Sequence, residues 1–151
     1  MTAVYETYSP EETMALGREL SETASPGDII CLNGDLGSGK TVFTKGFAKG
    51  LGVEDTVVSP TFTIIQEYYG GRMPLYHFDV YRIEDADEMA ETGMDEYFYG
   101  DGVCLIEWSS LIAELIPSKA WKVLLEKEPE KGDDYRKITV YRPETTGHRL
   151  R

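Results

Sequence analysis

Apolar residues recur along this chain at helical and strand spacing in turn. Leu16 and Leu20 lie four apart, behind the stretch Ser9-Pro10-Glu11-Glu12. Ser9 can cap a helix there, Pro10 suits its first position, and Glu12 completes a capping box. The predicted helix stops at Pro26-Gly27-Asp28. Residues 28–33 then read as a short buried strand. Phe43, Phe47 and Leu51 fall at i, i+4 and i+8, which predicts a helix over 39–51 closed by Gly50 and Gly52. Residues 61–69, rich in Thr, Ile, Phe and Tyr, predict a strand, and 73–80 a second one beyond Gly70-Gly71. So short a link makes the pair antiparallel, since a parallel crossover needs about a dozen residues. A helix is expected over 84–91, a buried strand over 103–107 and a short helix over 110–116 stopped by Pro117. Residues 121–127 and 136–141 predict a hairpin around a charged loop that holds Pro129 and Gly132. Strand and helix alternation with appended hairpins predicts an α/β fold with a mixed sheet.

Length adds one constraint. At 151 residues the chain is expected to form a single domain over 1–142, followed by a polar, frayed tail over 143–151. Charge adds another. Fifteen Lys and Arg stand against 27 Asp and Glu, a net charge of −12. That argues against a broad grip on nucleic acid and against an anionic membrane surface. It leaves room for a local anion site of backbone N–H groups and one lysine. Cys31 and Cys104 both sit in apolar runs and read as small core residues. With two histidines and no Cys-x-x-Cys, a zinc site lacks ligands. No apolar run approaches the ~20 residues of a membrane span, and the N-terminal residues lack the pattern of a signal peptide. The cytoplasm is the expected location.

The strongest chemical signal is Gly34-Asp35-Leu36-Gly37-Ser38-Gly39-Lys40-Thr41, a full match to G-x-x-x-x-G-K-[ST]. Glycines let the backbone wrap around phosphate oxygens and turn successive N–H groups inward. The helix that follows aims its positive end at the same charge. Lys40 is expected to reach the β- and γ-phosphates, and the Thr41 hydroxyl to ligate Mg²⁺. A buried strand before the loop and an amphipathic helix after it supply the required context.

Such a site also needs a carboxylate at the end of a neighbouring buried strand. Two strands end in acids, at Asp79 and at Glu107. Asp79 is expected to position Mg²⁺. Glu107 is expected to help hold the metal or to orient the attacking water. Ser59-Pro60-Thr61-Phe62-Thr63 is either a nucleotide-sensing switch, through Thr61 and Thr63, or a plain strand entrance. His77 reads as a hydrogen-bonded core residue before it reads as a general base. Arg82 either neutralises phosphate charge or pairs with nearby acids. For Trp108, core packing, adenine stacking and a partner surface all stay open. Residues 83–118 carry ten acids and neither Lys nor Arg, which makes either a solvated face or a docking surface for a basic partner.

Four blocks in order resemble the TsaE (YjeE) family: the loop 34–41, Ser59-Pro-Thr-Phe-Thr63, Tyr76-His-Phe-Asp-Val-Tyr-Arg82 and Cys104-Leu-Ile-Glu-Trp108. The resemblance covers about residues 9–141. It implies a P-loop NTPase fold in three layers, with a central, mostly parallel sheet flanked by helices. It implies a small Mg²⁺-dependent ATPase that serves tRNA N6-threonylcarbamoyladenosine synthesis by docking on the TsaD–TsaB pair and driving its turnover. Contact with tRNA would be indirect, and neither DNA nor membrane binding is expected. By motif, Lys40, Asp79 and Glu107 would be catalytic, and Thr41, Asp79 and Glu107 would hold the metal. Thr61 and Thr63 would sit in the switch-like segment. Ser9 and Pro10 would lie beside the base, and Arg136 is a further nucleotide contact. Ser38 replaces the family's frequent Ala, at a position that contributes mainly backbone. Two alternatives remain: a nucleotide-gated binding module and a small-molecule kinase. The kinase reading is weakened by the lack of any Arg between Arg82 and Arg136.

Overall fold

The computed structural model describes residues 1–35, 37–54, 57, 65–80, 87 and 93–143, with the side chains of Ser110 and Leu111 left aside. Seven strands form one mixed sheet: β1 (Thr2–Thr7), β2 (Ile29–Gly34), β3 (Ile65–Tyr68), β4 (Leu75–Asp79), β5 (Val103–Glu107), β6 (Trp121–Lys127) and β7 (Arg136–Tyr141). Their spatial order is β1-β7-β6-β2-β5-β4-β3. The inner strands β6, β2, β5 and β4 are mutually parallel. The β3–β4 and β6–β7 hairpins and the β1–β7 pair are antiparallel. β2, β4 and β5 read as largely apolar runs because both of their faces are covered, whereas β6 alternates and exposes Lys122, Leu124 and Glu126.

Alternation along the strands sends Ile30, Leu32, Leu75, Val103 and Leu105 to one face. There they meet Leu16 and Leu20 of helix α1 (Pro10–Ser21) and Phe43 and Phe47 of helix α2 (Lys40–Leu51). Ile29, Cys31, Phe78, Cys104 and Ile106 point the other way. They pack under Met94 and Phe98 of the short helix α3 (Met94–Phe98) and under Ile112. This is the three-layer α/β arrangement of a P-loop NTPase. Both cysteines are buried and free, as their apolar settings predict.

Helices α1 and α2 approach backbone to backbone. A Cβ on Gly46 would lie 2.7 Å from the carbonyl carbon of Met14, and one on Gly17 3.1 Å from the amide nitrogen of Phe47. The start of α1 is built as its sequence predicts, with the Ser9 hydroxyl accepting the Glu12 N–H at 3.1 Å. Glu12 reaches back to the N–H of Tyr8 at 2.8 Å, one residue before its usual target.

Three features depart from the sequence pattern. β1 is a strand the pattern did not signal, because most of its residues are exposed and its order comes from pairing with β7. α3 is only five residues long, too short to carry a period. The short helix expected over 110–116 is a 3₁₀ segment, Ser109–Leu115, interrupted by non-helical backbone at Ile112. The helix predicted over 84–91 lies outside the described residues apart from Asp87, as do Leu36, residues 61–64 of the first predicted hairpin strand, and the end of the tail.

Candidate nucleotide site

The loop between β2 and α2 begins where the β2 ladder ends. Gly34 still pairs with Leu125 of β6. A Cβ on Gly34 would meet the carbonyl oxygen of Leu125 at 2.8 Å and collide with the Ser38 hydroxyl. Gly37 (φ 79°) and Gly39 (φ 102°) take left-handed backbone that glycine adopts without strain. With Gly39 as N-cap, no side chain caps α2. The first N–H groups of a helix have no partner within it, which favours an anion at that end.

Lys40 is buried in this loop. Its Nζ donates to the Gly34 carbonyl at 2.8 Å, lies 3.9 Å from Glu107 Oε1 and sits 4.2 Å above the centre of the Trp108 ring. Trp108 takes left-handed backbone (φ 62°), unusual for a bulky residue and a kind of strain that gathers at functional sites. Glu107 is itself buried, and its Oε2 lies 2.7 Å from His77 Nε2. His77, Asp79 and Glu107 alternate onto the face of the sheet that carries α2, and Asp79 pairs in register with Glu107. Asp79 is half-buried, as is Thr41 in the first turn of α2.

Arg136 braces the loop from β7. Its Nε donates to the Ser38 carbonyl at 2.7 Å, and Nη2 to the Gly37 carbonyl at 3.3 Å. Its Nη1 donates to Asp133 and Tyr135 carbonyls. Pro10, Gly39, Asp134 and Arg136 line a small recess of about 40 Å³. A larger cleft, about 480 Å³, is walled by Gly34, Asp35, Ser38, Lys40, Trp108 and residues 124–127 of β6. The structure thus gathers the loop, Lys40, Thr41, Glu107 and Asp79 at one end of the parallel strands, with Pro10 and Arg136 beside Gly39. Ser9 caps α1, and Leu36, Thr61 and Thr63 lie outside the described residues.

Two features were hidden from sequence. The β6 wall of the cleft follows from the pairing of β6 with β2, which no local pattern encodes. The His77–Glu107 contact follows from the register of β4 on β5.

These residues fit a polyphosphate. Gly34 leaves a cradle that a Cβ would fill, and the buried Ser38 hydroxyl has no partner among the described residues. Among the described residues, the one buried ammonium, that of Lys40, points to the loop's own origin. A hydroxyl with two carboxylates at strand ends also suits a hard cation such as Mg²⁺. Among the described residues, no helix is long and apolar enough to cross a membrane.

A family model described as "Threonylcarbamoyl adenosine biosynthesis protein TsaE" matches residues 7–138. The chain belongs to the TsaE family. The tRNA threonylcarbamoyladenosine biosynthesis protein TsaE of Bacillus subtilis (strain 168) is 53% identical over 135 residues, covering 89% of this chain and 82% of that protein. TsaE of Treponema pallidum (strain Nichols) is 38% identical over 132 residues, covering 87% and 95%. The crystal structure of YdiB from Bacillus subtilis superposes with a TM-score of 0.80 at 43% identity, covering 99% of this chain and 91% of that one.

Proposed function

We propose that this chain is a Mg²⁺-dependent ATPase that serves tRNA threonylcarbamoyladenosine biosynthesis by docking on the TsaD–TsaB pair and driving its turnover. The pathway is carried over from the names of its TsaE relatives. The ATP chemistry rests on Lys40, whose buried ammonium is held against the Gly34 carbonyl inside a loop of left-handed glycines. Burial strengthens its pull on an incoming phosphate relative to a lysine in water.

The proposed reaction is in-line attack of water on the γ-phosphate. The loop amides and Lys40 stabilise charge on the transferring phosphoryl group, where it is greatest in the transition state. The Thr41 hydroxyl with Asp79 and Glu107 would hold Mg²⁺, which when bound would neutralise charge on the polyphosphate. Asp79 would position the metal, and Glu107 would help hold it or orient the water. Arg136 keeps the Gly37–Ser38 carbonyls turned back toward β7, which leaves phosphate the face of the loop away from them, although the Ser38 N–H itself donates to the Asp35 carbonyl at 3.0 Å. The reaction takes place in the cytoplasm and reaches tRNA through the complex.

The decisive assay is threonylcarbamoyladenosine formation beyond one turnover. It combines the TsaD–TsaB pair, threonylcarbamoyl-adenylate, tRNA and ATP with wild type or Lys40→Ala. Multiple turnovers with wild type alone support the reading. Multiple turnovers with both make the chain a scaffold, and failure of both removes the proposed role. One observation favours a second reading, a nucleotide-gated binding module. Lys40 already engages Glu107 and Trp108, contacts that a polyphosphate would break. Partner release that precedes hydrolysis in a single turnover would favour it.

A further inference from the structure

His77 is sealed in the middle of β4, with no exposed surface. It stands in register with Leu105, among the apolar residues that face α2. An imidazole in such a layer loses its hydration at both nitrogens, and an aliphatic side chain would fill the space without that loss. The ring recovers only one side. Nε2 lies 2.7 Å from Glu107 Oε2, while Nδ1 has no partner among the described residues. A carboxylate oxygen only accepts, so Nε2 is the donor.

The two oxygens of Glu107 are thereby divided. Oε2 is taken by His77, and Oε1 faces Lys40 at 3.9 Å. We propose that His77 is a positioning residue for Glu107: it holds Oε2 and so presents Oε1 to the phosphate loop. The inference rests on the ATPase reading and adds the group that orients its carboxylate. The terminal torsion of a glutamate is broad, so one fixed oxygen is what defines the plane of the group. Without that tether the carboxylate rotates about this torsion, and neither oxygen keeps the direction needed for water or metal.

The test measures steady-state ATP hydrolysis by the full chain with MgATP, supplemented with the TsaD–TsaB pair. Wild type against Lys40→Ala comes first, since equal rates there would overturn the ATPase reading itself. With that difference established, His77→Leu is expected to lower kcat roughly ten- to hundred-fold. KM for ATP should change less than about threefold, because the loop and Lys40 remain. His77→Gln, whose amide nitrogen can donate from a similar place, restores most of kcat. His77→Asn, one methylene shorter, does not. In a Glu107→Ala background, His77→Leu causes no further fall. An unchanged kcat in His77→Leu, or an equal loss with and without Glu107, overturns the inference. If the leucine variant does not fold, the Gln and Asn pair decides: equal kcat in the two refutes a role for the donor.

Discussion

Gly46→Ala asks whether α1 and α2 need their backbone contact. The added methyl would collide with the Met14 carbonyl oxygen, and would lie 2.7 Å from the carbonyl carbon and 3.0 Å from its Cα. Carbon atoms pack best near ~3.5 Å and the oxygen is closer still, so the helices must part by more than ~0.8 Å. Two effects compete. Alanine is favoured over glycine in a helix interior by ~1 kcal/mol. Overpacking costs about 1–3 kcal/mol, and this site belongs at the upper end because the neighbour is backbone with no rotamer to change. Parting the helices also loosens Leu16 and Leu20 against Phe43 and Phe47. The expected net loss is about 2 kcal/mol, which for a domain of this size lowers Tm by about 4–8 °C. Thermal and urea unfolding followed by circular dichroism measure it. A variant that melts at or above the wild-type temperature would show that propensity wins, and the close approach would be unnecessary. Since α2 starts at the loop, weaker ATP binding should accompany the lower Tm.

Arg136→Ala should weaken ATP binding roughly tenfold in calorimetry by releasing the Gly37 and Ser38 carbonyls, and Arg136→Lys should not restore it, because an ammonium lacks the fork that spans both; unchanged affinity would make the brace dispensable. Burial pushes the Cys104 thiol up to about 12 and the Cys31 thiol upward as well. The thiolate is the reactive form and its fraction grows only as pH climbs toward the pKa, so at pH 8 neither thiol should react with Ellman's reagent until urea is added. Fast native labelling would contradict their burial.

The centre of the molecule was legible because its signals are local. The apolar run through Cys31, the glycines after it and the Phe43–Phe47–Leu51 stripe each announce an element within a dozen residues. Asp79 and Glu107 were readable as strand-end acids, but their shared face needed the parallel pairing of β4 with β5. Arg136 shows the limit well. A nucleotide contact for it was expected from family resemblance, whereas its hydrogen bonds to loop carbonyls depend on how β7 lies on β6. β1 stayed hidden for the same reason. An exposed edge strand is specified by its distant partner more than by its own residues.

That partnership reaches into how the chain is made. Once residue 107 has left the ribosome, β2, β3, β4 and β5 have all been synthesised, and they are neighbours in the sheet. β6 and β7 then add to one side. β1, synthesised before the other six, finds its place against β7 about 130 residues later. At ~5–20 residues per second that delay is on the order of ten seconds. Through it, the backbone of Ala3, Val4 and Tyr5 offers an unpaired edge to any neighbouring nascent chain. The last step in assembling this sheet is therefore a latch of β1 onto β7, closed by the Met1 ammonium on the Arg142 carbonyl at 3.0 Å and the Arg142 N–H on the Met1 carbonyl at 2.9 Å.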